Sequence, residues 1–327
     1  MYPIADAHCD LLSFLHFNQG KNAHDPQVKC SIPQLQAGMV GLQVLAIYTP
    51  TCPESHKHGY NQSLIFKNLP AQEPAFYHCT NPQDLHRFGQ NNQIGIVAAI
   101  ENASGLADEN LPLSEAFSNV EKVLTNTQKL LYISLTHHTE NRFGGGNYTQ
   151  IGLKDDGRKL LAYLANKNIA IDFSHASDQL ATDILHFADS EKLPFLFMAS
   201  HSNFRPLHAN PRNLPDEITQ EILKRGGFIG VNWLKYYLGE EPTKLYEHIE
   251  YAFAKGAANQ VGLGADFFYD TDQNRAAQTY YPQYSSAAQY PELLNQLAAR
   301  TLNHAQLQAV AHTNFLAFIR RLWGSKP

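Results

Sequence analysis

The sequence predicts an α/β protein, a (β/α)8 TIM barrel. Three observations carry that prediction. Eight short apolar runs recur along the chain, helical patterns separate several of them, and most runs end in side chains able to hold a metal. Runs of nearly continuous apolar character suit strands buried on both faces of a parallel sheet.

In chain order the runs are "YPIADAH" (2–8), "MVGLQVLAIY" (39–48), "IGIVAAIEN" (94–102) and "LLYISLTHH" (130–138). They continue with "IAIDFSHAS" (169–177), "FLFMASHSN" (195–203), "GFIGVNW" (227–233) and "VGLGADFF" (261–268). Between them, "LKDDGRKLLAYLANKN" places Leu160, Leu161 and Leu164 at helical spacing. "SDQLATDILHFAD" starts on a Ser177 cap, and "PDEITQEILKRGG" has Pro and acids in its first turn and glycines at its end. "HAQLQAVAHTNFLAFIRRLW" reads as one amphipathic C-terminal helix. The competing architecture, a doubly wound sheet, usually has fewer strands and a GxGxxG after its first one, which is missing here. The reading is a single catalytic domain over 1–327 with irregular insertions near 49–93 and 269–291. The second insertion follows the last strand. It would overhang the C-terminal mouth of the barrel, its tyrosines either lining or closing a pocket or packing on one another in a solvated loop.

Composition narrows the function. With 327 residues, 43% hydrophobic and 17% charged, the chain can bury a large core. A net charge of −5 with no basic stretch opposes nucleic-acid binding. No run approaches the roughly 18 apolar residues of a membrane span, and no basic-then-apolar leader opens the chain. Cys9, Cys30, Cys52 and Cys79 form no CxxC pair, so reduced thiols and a cytoplasmic location are expected.

The polar residues at strand ends carry the chemistry. The first run ends in His8 and Asp10, the third in Glu101, the fourth in His137 and His138, the fifth in His175, the sixth in His201 and the eighth in Asp266. In a parallel barrel these ends converge on one face. His8 and Asp10 are two apart, so an extended strand aims both at one point and turns Cys9 away into packing. Three His, one Asp and one Glu exceed the needs of one tetrahedral zinc but suit two ions sharing a carboxylate. Glu101 is the expected bridge, with His8 and Asp10 completing one ion and His175 and His201 the other. The remaining histidines, His24 and His248 among them, are expected to be ordinary packed or surface residues.

These residues sit in stretches that resemble the renal, or membrane, dipeptidases, a metallopeptidase group among the amidohydrolase-like barrels. The resemblance rests on "DAHCDLL" (6–12), "AAIENASG" (98–105), "LTHHTENRFGGG" (135–146), "IDFSHASD" (171–178), "SHSNFRPLHANPRNLPDE" (200–217) and "VGLGADF" (261–267). It implies two zinc ions per subunit, bound by His8, Asp10, Glu101, His175 and His201, with a metal-bridging hydroxide as the nucleophile. It further implies that His137 lies near the scissile carbonyl, that Arg205 engages the substrate's C-terminal carboxylate, and that Asp266 faces its amino group. A small dipeptide is then the substrate and a homodimer the expected assembly. The chain departs from the family at Cys9, at "NASGL" (102–106) and at "DFFYD" (266–270), where the family commonly has "DFDG". Two other readings keep the barrel: a metal-dependent amidohydrolase acting on cyclic amides or esters, and a non-catalytic binding protein.

Overall fold

The computed structural model describes residues 2–272, 275, 278–300 and 302–324. Nine parallel strands form one sheet: β1 (Ile4–Cys9), β2 (Val40–Tyr48), β3 (Phe76–His78), β4 (Ile94–Glu101), β5 (Leu130–Ser134), β6 (Ala170–Asp172), β7 (Phe197–Ala199), β8 (Phe228–Val231) and β9 (Val261–Leu263). Eight of them close a ring in the order β1, β2, β4, β5, β6, β7, β8, β9 and back to β1. Every apolar run read from the sequence supplies one strand of this barrel. The runs extend past the strands because their last residues are already loop; β6 and β7 are only three residues long.

The ninth strand, β3, lies outside the ring on the first residues of β4. It falls within 49–93, expected to be irregular, and that expectation is corrected there. Helix Ser55–Gln72 fills much of the stretch. Its polar residues are spread round the axis, and Gln62 and Ser63 are buried, so no apolar stripe marks it in the sequence. It packs close on the loop after β4: a Cβ at Gly59 would lie 2.3 Å from the Gly105 carbonyl oxygen.

The elements predicted as helices are present at Asp155–Leu164, Asp178–Ser190 and Asp216–Lys224. The Ser177 side chain accepts from the Leu180 N–H, as a cap should. The C-terminal segment differs from the single helix expected. His304–Gln308 and Asn314–Gly324 are joined by a π-turn at Ala309–Thr313, where His312 Nδ1 lies 2.8 Å from the Pro3 carbonyl. Phe315, Phe318, Ile319 and Leu322 pack with Ala5, Val44, Val97 and Phe228, which closes the N-terminal end of the barrel. The site is therefore confined to the opposite end. Within 269–291, Tyr280, Tyr281, Tyr284 and Tyr290 are buried, whereas Tyr269 reaches the mouth; residues 273, 274, 276 and 277 lie outside the described residues. All four cysteines are free thiols. No helix among the described residues is long and apolar enough to cross a membrane.

Candidate metal centre

The site begins with a defect in β1. Between Asp6 and Cys9 the pairing with β2 slips, three steps on β1 matching two on β2 (Gln43 to Leu45). A bulge of this kind re-aims side chains. Asp6 turns to the Tyr290 hydroxyl (2.8 Å) and the Ala265 N–H (2.9 Å), His8 turns to the centre, and Cys9 is buried. Asp10 follows at the start of helix Leu11–Phe17, with φ −101° and ψ 30°. The expected simple alternation along an extended strand is thus replaced by a bulge and a helix start, with the same two side chains delivered.

Glu101 ends β4, and its two oxygens face different partners. Oε2 lies 3.3 Å from His8 Nε2; Oε1 lies 3.0 Å from His175 Nε2 and 3.4 Å from His201 Nε2. The His175 and His201 Nε2 atoms are 3.0 Å apart. Asp10 Oδ2 and Asp266 Oδ1 approach His8 Nε2 at 3.9 and 3.6 Å. His175 and Asp266 follow their strands in left-handed backbone conformations, φ 68° and 63°. His and Asp tolerate that region better than most residues.

Two hydroxyls fix which histidine nitrogens are free. Tyr132 gives its one proton to the Ala7 carbonyl (3.1 Å), so its oxygen accepts from His8 Nδ1 at 2.7 Å. Ser200 gives its proton to Asp172 (2.6 Å), so its oxygen accepts from His201 Nδ1 at 2.7 Å. Both rings then present a bare Nε2 lone pair to the centre, the tautomer a metal requires. Asp172 also accepts from the Ser134 hydroxyl and from the Ser174 and Ser200 N–H groups, which pins the loops after β6 and β7 together. Sequence reading missed Tyr132, Asp172 and Ser200; Asp172 and Ser200 each sit within three residues of a ligand, and Tyr132 within one of the recognised runs, but no motif marks them.

The donor set fits a cation. His8 Nε2, Asp10 Oδ1 and His175 Nδ1 are buried without a protein hydrogen-bond partner. Donor atoms of His8, Glu101 and His201 lie within 4.8 Å of one another, as do those of His8, Asp10 and Asp266. Burial raises the Glu101 carboxyl to about 8 and Asp266 to about 7, and raises Asp10 well above its usual range, with the neighbouring carboxylates adding to the shift of the two aspartates. Burial also holds His137, His175 and His201 neutral, well below the ordinary histidine value. Three carboxyls that resist ionising beside neutral imidazoles are what a fold leaves for positive charge to balance.

A pH prediction follows for metal-free protein. From about pH 6.5 upward His137, His175 and His201 are neutral in the folded chain, and an unfolded histidine is losing the remainder of its charge. The unfolded chain has then already lost the Glu101 and Asp266 protons, while the folded chain keeps them until about pH 8 and 7. The folded state binds more protons, so stability falls as pH rises through this window. Calorimetry of chelator-treated protein should show Tm declining by several degrees from pH 6.5 to 8, and zinc should flatten the decline. A Tm that rises over this interval in the metal-free protein would contradict the charge balance described.

The other predicted residues divide. His137 lies 3.9 Å from Glu101 Oε1, with the Tyr48 ring 5.0 Å away. His138 instead bonds Asn147 Oδ1 at 3.0 Å and stacks on Tyr148. Arg205 is not brought to the centre. Its guanidinium is committed to both oxygens of Asp178 and to the Asn213 and Pro211 carbonyls. The expectation of a carboxylate-binding Arg205 is corrected on this ground. Arg212, seven residues on, is buried beside the site instead. It donates to the Ser202 hydroxyl (2.7 Å) and the His201 carbonyl (2.8 Å), its Nε has no protein partner, and it lies 5.5 Å from the Tyr237 ring. Its charge opposes protonation of His137 and His175 and favours ionised Glu101. Above the centre opens a cavity of about 1200 Å³ lined by Glu101, His137, Asp266, Tyr237 and Tyr269 among others.

Comparison with known proteins converges on one family. The family model for membrane dipeptidase (peptidase family M19) matches residues 1–323. Dipeptidase 3 of Rattus norvegicus is 25% identical over 344 aligned positions, which cover 98% of this chain and 65% of that protein. A crystal structure of the dipeptidase AC, a metallopeptidase, superposes with a TM-score of 0.82 at 18% identity, covering 99% of each chain. A metallopeptidase from Rhodobacter sphaeroides, liganded with a phosphinate mimic of the dipeptide L-Ala-D-Ala, superposes with a TM-score of 0.81 at 17% identity, covering 98% of this chain and 99% of that one.

Proposed function

Because this chain belongs to the membrane dipeptidase family, peptidase family M19, and is thereby a metallo-dipeptidase acting on peptide bonds, we propose that it hydrolyses small dipeptides with two zinc ions held by His8, Asp10, Glu101, His175 and His201. The observation that carries this reading is the divided Glu101 carboxylate, one oxygen toward His8 and the other toward His175 and His201. When bound, the ions supply a water that ionises near neutral pH and a Lewis acid for the scissile carbonyl.

The chain's own residues do the rest. His137, kept neutral by burial, offers an N–H where negative charge develops on the carbonyl oxygen; one such donor contributes roughly 10²–10³-fold elsewhere. Asp266 is oriented by the Asn232 amide (2.8 Å) and lines the cavity, which suits it to hold the substrate's amino group and pass a proton to the leaving amine. Arg212 takes the place first expected for Arg205. Its fork suits a C-terminal carboxylate, and its unpartnered Nε leaves a donor for one.

A panel of L,L- and L,D-dipeptides assayed with and without a chelator tests the reading. Hydrolysis should vanish with the metal and return on adding zinc, and elemental analysis should find two ions per chain. Purified protein that holds no zinc and cleaves no dipeptide with zinc added would favour a non-catalytic binding role.

A further inference from the structure

We infer that the wall over β1 and β9 is a pocket for a large aromatic side chain on the amino-terminal residue of the dipeptide, with Tyr269 as its selecting residue. This rests on the dipeptidase reading for its orientation, since Asp266 there holds the substrate's amine. In the ring of eight strands β9 stands opposite β5, and β1 opposite β6. The loops that carry His137 and His175 therefore rise from one side, and those that carry Asp10 and Asp266 from the other. Phe14 lies one helical turn beyond Asp10, its N–H bonded to the Asp10 carbonyl at 3.0 Å. Phe268 and Tyr269 follow Asp266 by two and three residues.

These aromatics form one wall. The Phe14 and Tyr269 rings meet edge-on at 5.4 Å, and Phe268, Tyr269 and the rim residue Phe17 line the same cavity. Phe268 and Tyr269 are held from behind: the Tyr280 hydroxyl donates to the Asp266 carbonyl at 2.5 Å and accepts from the Phe268 N–H at 3.2 Å. Both rings belong to the stretch "DFFYD" (266–270), directly after the Asp266 carboxylate. The side chain of the amino-terminal residue begins two bonds from the anchored nitrogen, within reach of the wall that shares the cavity with Asp266. The cavity of about 1200 Å³ exceeds the usual 300–1,000 Å³ of small-ligand sites, so a benzyl or indole group has room. Ring edges on faces favour an aromatic guest over an aliphatic one of equal area.

The test is a series X-Ala with X as Gly, Ala, Leu, Phe or Trp, alongside Ala-X. The kcat/KM for Phe-Ala should exceed that for Ala-Ala by at least about tenfold, as apolar pockets commonly discriminate, and Ala-Phe should gain less. In Tyr269→Ala the Phe-Ala to Ala-Ala ratio should fall to within about threefold, and Tyr269→Phe should restore it. A merely structural role for Tyr269 would lower both substrates by one factor and leave the ratio unchanged. Calorimetric titration of the wild-type protein with L-phenylalaninamide and L-alaninamide reads the same preference without turnover, whether or not the variants fold. A flat X-Ala series, with dipeptides still cleaved, overturns this inference and leaves the dipeptidase reading standing. Tighter binding of phenylalaninamide with no dipeptide cleaved keeps the pocket and removes that reading.

Discussion

Glu101→Gln is expected to abolish peptide hydrolysis, lowering kcat/KM by roughly 10³-fold or more, beyond the 10²–10³-fold typical of losing one oxyanion donor. It should also weaken both metal ions together. Glu101 Oε2 serves the His8 side and Oε1 the His175 and His201 side, so a single substitution reaches both. Glutamine keeps the shape but loses the charge and turns one acceptor into an N–H donor. That donor must face either His8 Nε2, whose lone pair is bared by Tyr132, or the pair of histidines opposite. Metal content measured by mass spectrometry across a chelator-buffered series should fall at both sites at similar free zinc. Misfolding is separable from this effect. The metal-free variant no longer buries a carboxyl that titrates at about 8, so its Tm at pH 8 should match or exceed that of metal-free wild type. Full turnover with two tightly held ions would end the idea of a shared carboxylate.

Arg212→Lys should cost about 100-fold in kcat/KM on dipeptides with a free carboxylate. Losing a desolvated charge-assisted pair commonly costs about 2–5 kcal/mol, and 2.8 kcal/mol is a hundredfold. Lysine retains the charge near Glu101 and the histidines but not the planar fork, so loss should appear mainly in KM. Dipeptide amides, which lack the carboxylate, should lose little. Arg205→Ala should leave kcat/KM within about twofold, since that guanidinium is occupied by Asp178 on a partly exposed face. Equal loss on both substrate types after Arg212→Lys would point to a cyclic-amide or ester hydrolase. A carboxylate-specific loss in Arg205→Ala would reinstate the first expectation.

The contrast between the two arginines shows where the sequence stops being legible. Both lie within "SHSNFRPLHANPRNLPDE", and nothing in spacing separates them. The fold decides, because Phe204 bridges to Leu214 and sends its neighbour outward to Asp178, while the chain between returns Arg212 beneath His201. The barrel strands were readable because strands covered on both faces leave unbroken apolar runs. β3 was not, being three residues that pair only with the foot of β4. Helix Ser55–Gln72 was hidden by buried polar residues and an internal Pro70. Of the centre, the groups at strand ends announced themselves by position. The hydroxyls of Tyr132 and Ser200 did not, since a hydroxyl acquires its meaning only from the two partners it stands between.

The ring closes where β1 meets β9, with the Asp266 N–H on the His8 carbonyl at 3.3 Å. Two strands more than 250 residues apart in the sequence thus lock each other. β1 has β2 on its other edge, but without β9 the carboxylate of Asp266 is missing from beside His8 and Asp10. The cluster of His8, Asp10 and Asp266 is accordingly complete only once this seam has closed, which ties assembly of the centre to closure of the barrel.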